Sequence, residues 1–177
     1  MKYQLIRQTT DHSMPISLTL FSGAYNTFEI AQISSFNKYQ LNIDRLSYCN
    51  QLIMARKFNA NLSIQLSASM VHFNLVDNLT DDNTVYIGGI VGRYKITSRQ
   101  AITLEYGYRI NKYSSNSYYD SFAIGYDLET GGHVFQIHLT NSFGLTENEY
   151  FMYTRSSWSN LGVRLGFNIS RVFSLQK

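Results

Sequence analysis

Four histidines, at positions 12, 72, 133 and 138, are the residues of this 177-residue chain best suited to metal binding or proton transfer. His133 and His138 lie five apart, and along an extended strand an odd separation sends side chains to opposite faces. They cannot chelate one ion, so no metal and no cofactor is expected. Ser121 and His138 stand on consecutive predicted strands with Asn141 close by, the residue types of a barrel acyl hydrolase or acyltransferase acting on lipid. No Gly-x-Ser-x-Gly elbow surrounds Ser121, which leaves lipid chemistry as an alternative to a non-enzymatic protein. Asp127 and Glu129 share a face as glycosidase acids would, but the wet rim of a turn explains them better. Gly88-Gly89 and Gly131-Gly132 are not followed by a helix, so neither cradles a phosphate.

Inward-facing charge is the stronger chemical signal. Glu105 and Arg109 fall on one face of a predicted strand, Asp127 faces the same way on the next, Gln136 and His138 on a third, and Arg164 on the last. Buried charges need partners. The expectation is an ion-pair network stabilising a lumen, with a selectivity ring for solutes as the second reading. Tyr106, Tyr108, Tyr126 and Trp158 lead a set of aromatics near strand ends, together with Tyr118, Tyr119, Tyr150, Phe151 and Tyr153, and amphipathic rings at that place form membrane-interface girdles. A carbohydrate-stacking platform in the 142–158 connection, with Glu147 and Glu149 beside its rings, is the alternative for that segment.

These side chains are positioned by strands. In Ala101 to Ile110, residues Ile102, Leu104, Tyr106, Tyr108 and Ile110 alternate with Thr103, Glu105, Gly107 and Arg109. That is a period of two, with one apolar face and one small or polar face. The same device recurs at 121–128, at 133–140 and from Leu161 to Ser170. Further strands are predicted at 2–8, 14–23, 44–56, 60–73 and 84–96, about nine in all. In 84–96 both faces are partly apolar, which predicts a packed, dry stretch of interior.

Connections alternate in length. Short links fall near 9–13, 57–59, 97–99 and 129–132; longer polar ones fall near 24–43, 74–83, 112–118 and 142–158. Membrane barrels of the outer-membrane type carry short periplasmic turns and long extracellular loops. Composition agrees: 15% aromatic, 15% charged, one Pro and a mean hydropathy of −0.20 suit strands that alternate lipid-facing and lumen-facing residues. The formal charge of +3 is scattered without a basic run, so no nucleic-acid partner is expected. The lone Cys49 forms no internal disulfide. The fold expected is therefore an all-β, antiparallel up-and-down transmembrane barrel, one domain over 1–177. Barrels of this kind have even strand numbers with both termini in the periplasm, so about nine strands imply an odd number upstream, and three more would make twelve.

The segments Ile124 to His138 (IGYDLETGGHVFQIH) and Gly166 to Phe173 (GFNISRVF) resemble the C-terminal signature of a β-barrel family of Gram-negative bacteria catalogued as a domain of unknown function. Tyr3 to Gln8, Arg45 to Tyr48 and Ala55 to Phe58 are similar to it as well. The resemblance implies an exported outer-membrane barrel with about a hundred further N-terminal residues, and it brings no activity. Expected partners are outer-membrane lipid, the barrel assembly machinery during insertion, and an unidentified periplasmic or surface protein. The role expected is channel, transport or scaffold, non-enzymatic. Besides the lipid-acting enzyme, the alternative is a soluble barrel holding a small hydrophobic ligand, whose apolar face would point inward.

Overall fold

The computed structural model describes residues 1–11, 13–28, 39, 41–76, 81–111 and 118–171. His12, the stretches 29–38, 77–80 and 112–117 of the long connections, and Val172 and Phe173 of the family signature lie outside the described residues.

Alternation dictates the elements. The strands are β1 (Lys2–Ile6), β2 (Ser17–Asn26), β3 (Leu46–Lys57), β4 (Leu62–Phe73), β5 (Thr84–Lys95), β6 (Gln100–Arg109), β7 (Ser121–Glu129), β8 (His133–Thr140) and β9 (Arg164–Arg171). They form one nine-stranded antiparallel sheet in sequence order. β9 does not return to β1, so the sheet is open and has two edges. Where β9 was expected to begin, Leu161 instead has φ 55° and ψ 24°, a left-handed cap closing a 3-10 turn at Trp158–Asn160. That conformation cannot continue into a strand, and β9 starts at Arg164. Gly131, at φ 73°, supplies the left-handed residue of the β7–β8 hairpin, where a side chain would be strained.

Register carries the alternation across the whole sheet. Gln65, Val91, Glu105, Ala123, Thr140 and Arg164 are successive cross-strand partners from β4 to β9, and all face the concave side. The opposite side displays Leu66, Ile90, Leu104, Tyr106, Ile124, Ile137, Leu165 and Phe167, each between 38% and 71% exposed. This face is apolar and solvent-accessible, the reverse of what a soluble ligand-binding barrel requires. Three short connections (58–61, 96–99, 130–132) gather at one rim together with 7–16, which is longer than the link expected near 9–13, and 27–45, 74–83, 110–120 and 141–163 leave the sheet at the other.

The packed core lies on the concave side toward the long-connection rim. Val85 and Ile87, the inward residues of β5, are 1% exposed, and with Cys49, Val71 and Phe73 they pack on Phe151 and Met152. Both faces of β5 are partly apolar for this reason: one meets the surroundings of the barrel and the other meets a segment folded inside it.

An arginine at an outward position in the middle of a strand forces a charge into hydrocarbon. Leu104→Arg is expected to destabilise the protein folded in lipid vesicles by about 2–4 kcal/mol in urea titrations.

Candidate functional site

The segment that fills the concavity is the connection between β8 and β9, which sequence periodicity assigned to a surface loop. Its centre is a short helix, α1 (Glu147–Met152). Thr146 enters it in an extended conformation, and Glu147 and Glu149 place negative charge in the first turn, where exposed N–H groups favour it. Asn148, Phe151 and Met152 fall three and four residues apart and so share one helical face, which is buried. The helix packs on β3 and β4.

Polar contacts hold it there from all sides. The Tyr25 hydroxyl donates to Glu147 Oε2 at 2.6 Å, and Asn148 Nδ2 donates to Ser47 Oγ at 2.8 Å. The Ser142 hydroxyl donates to the Tyr150 carbonyl at 3.0 Å. Arg109, 3% exposed, donates from Nη2 to the Tyr119 carbonyl at 2.6 Å and from Nη1 to the Met152 carbonyl at 3.5 Å, with its guanidinium 5.6 Å from the Tyr118 ring centre. Arg164 Nη1 donates to the Asn141 carbonyl at 3.3 Å and to Ser156 Oγ at 3.0 Å. Burial, with the Glu105 charge nearby, raises the Tyr150 phenol above its ordinary pKa, as expected for a ring inside the plug.

The lumen charges therefore do not form the single network anticipated. Arg109 and Arg164 bind backbone and hydroxyl groups of the inward segment. Asp127, 5% exposed, pairs instead with Arg93, whose Nε lies 3.1 Å from Oδ2, and accepts from Gln136 Nε2 at 3.0 Å. It is a buried partner, not half of a wet acidic rim with Glu129. Arg93 escaped notice because β5 was read by its apolar residues. Glu105 lies between the two groups, four residues or roughly 13 Å from Arg109 along β6. It receives no hydrogen bond or ion pair among the described residues. Glu105 lines two cavities, one of about 250 Å³ with Gln51, Gln65, Ser67, Glu147 and Tyr150, the other of about 220 Å³ with Thr103, Asp127, Gln136, His138 and Asn168.

The remaining candidates separate by face. His138 is inward, its imidazole lying across Gly166, where even a Cβ would collide with the ring. His133 faces outward near Phe135, and His72 bonds through Nδ1 to Thr84 Oγ1 at 2.8 Å. Ser121 and His138 do not meet: His138 is opposite Gly125, four residues or roughly 13 Å from Ser121. Tyr106 and Tyr108 stand outward toward the long-connection rim and Tyr126 outward toward the short-turn rim. Trp158 rests edge-on against Phe122, 5.1 Å between ring centres, and its Nε1 donates to the Phe122 carbonyl at 3.2 Å. Tyr150, Phe151 and Tyr153, expected in a girdle or a stacking platform, instead belong to the interior packing.

Arg109→Ala removes charge-assisted bonds to the Met152 carbonyl of the inward segment and to the Tyr119 carbonyl of the neighbouring connection. Each is worth about 1.5–3 kcal/mol, so urea stability is expected to fall by at least that amount, and trypsin is expected to cleave at Arg155 faster than in the parent protein.

The geometry is that of a sheet with an apolar exterior and a polar, partly plugged interior. The sequence profile of a family described as a membrane-bound beta barrel domain, DUF5777, matches residues 1–173. Comparison with curated proteins and with solved structures returned no match. With the match extending over nearly the whole chain, the protein belongs to the DUF5777 family of membrane-bound beta barrel domains.

Proposed function

We propose that this chain is a non-enzymatic barrel of a bacterial outer membrane, and that its lumen passes small solutes around a plug formed by residues 141–157. The observation that carries this reading is the burial of Phe151 and Met152 against Cys49, Val71, Val85 and Ile87, with the polar cavities beneath them. A scaffold that used only its outer surface would have no need of hydrogen-bonding groups along an inner cavity. A catalytic barrel would bring a nucleophile and a base together, and the register keeps Ser121 from His138. The short turns at one rim and long connections at the other support the orientation, with the plug toward the cell exterior. The edges of β1 and β9 are paired in the membrane, because hydrocarbon offers no partner to a free backbone edge. Additional strands that bring the total to about twelve are the simplest closure.

Planar-bilayer recording tests this. The full chain is expected to conduct in small steps, and replacing 143–157 by a short Gly-Ser linker is expected to raise the conductance several-fold. Equal conductance in both proteins, or none in either, removes the plugged-channel reading.

A further inference from the structure

Conduction past a plug leaves open what is conducted, and the interior charges answer that when they are followed individually. Asp127 is neutralised by Arg93. Glu147 accepts from the Tyr25 hydroxyl. Arg109 and Arg164 are engaged by the plug and its flanks. Glu105 differs: a carboxylate at mid-strand on the concave face, with no hydrogen bond or ion pair among the described residues. Removing a carboxylate from bulk water without a partner is costly, so a position of this kind either binds a proton or binds a cation.

Space around Glu105 favours a solute. Its cross-strand partners are Val91 and Ala123, and the inward positions flanking these include Gly89 and Gly125. Of the longer side chains nearby, Arg93, which also flanks Val91, is bonded to Asp127, and Tyr150 lines the first cavity with Glu105 without a hydrogen bond to it. The cavities on its two sides, about 250 and 220 Å³, are each far larger than the roughly 30 Å³ occupied by one water molecule. Their walls supply neutral oxygen acceptors from Gln51, Gln65 and Ser67 on one side and Thr103, Gln136 and Asn168 on the other. Acceptors around carboxylates, Glu105 with Glu147 on one side and with the Arg93-paired Asp127 on the other, are the chemistry that replaces the hydration of a small cation, and they repel an anion.

We propose that Glu105 is the recognition point for small cationic solutes, metal or ammonium, in the lumen beneath the plug. This rests on the conduction reading but is tested without it. Ala123 faces inward directly opposite Glu105, so a thiol introduced there samples the ions beside the carboxylate. Cys49, wholly buried, is replaced by Ala to leave one thiol. In Cys49→Ala, Ala123→Cys protein reconstituted in vesicles, modification rates are measured with aminoethyl and with sulfonatoethyl methanethiosulfonate, each normalised to its rate with free thiol. The cationic reagent is expected to be favoured at least ~10-fold, as a carboxylate in a low-dielectric cleft concentrates counter-ions. Glu105→Gln in the same background is expected to abolish the preference, and Glu105→Asp to retain it. A preference unchanged in Glu105→Gln overturns the proposal, as does failure of both reagents to reach the thiol in folded protein. Charge preference without bilayer conductance would remove the conduction reading while leaving the cation site in place.

Discussion

A peptide N–H or C=O left unpaired in hydrocarbon costs several kcal/mol, so a chain that crosses a membrane without long apolar helices must satisfy its backbone between strands. None of the described helices is long and apolar enough to cross. The ladders from β1 through β9 carry that burden. Once antiparallel pairing is required, a period of two follows, and each strand presents one face to lipid and one to the lumen. The apolar exterior, the inward Glu105, Arg109, Asp127 and Arg164, and the division into long and short rims all descend from that single requirement.

The interior is then a problem of filling. A wide barrel leaves a lumen that side chains alone do not close. Here the β8–β9 connection occupies the upper part, and its packing is two-fold in character. Phe151 and Met152 bury apolar surface against Val71, Val85 and Ile87, which stabilises the closed arrangement. Tyr25, Ser47, Arg109 and Arg164 bind its polar groups and so fix its position within the mouth. Below it the walls turn polar and small, and Glu105 stands in the space that results.

The strands were legible because alternation is local: ten residues from Ala101 to Ile110 suffice to show both faces of β6. The dry stretch of β5 was legible for the same reason, since Val85 and Ile87 broke the expected polarity of an inward face. The plug was not. Glu147 to Met152 makes fewer than two helical turns, too short for a periodic signal, and its fate is decided by side chains on β2, β3 and β6 distant in sequence. Its aromatics therefore looked like an interfacial girdle. Charge partners were hidden likewise: Asp127 and Arg93 are 34 residues apart, and only register across three strands brings them together. Ser121 and His138 resembled a pair because hairpin neighbours are close in sequence, whereas register places each residue opposite one partner only.

The assignment of one face to lipid and the other to the lumen decides the rest of the structure. Its most direct test places a single tryptophan on adjacent residues of β8, Ile137→Trp and Gln136→Trp, each with Trp158→Phe, in vesicles of lipids brominated along their acyl chains. Strong quenching for Ile137→Trp with little for Gln136→Trp is the predicted result. Equal quenching at both positions, or the reverse order, would contradict the assignment of exterior and lumen on which everything else depends.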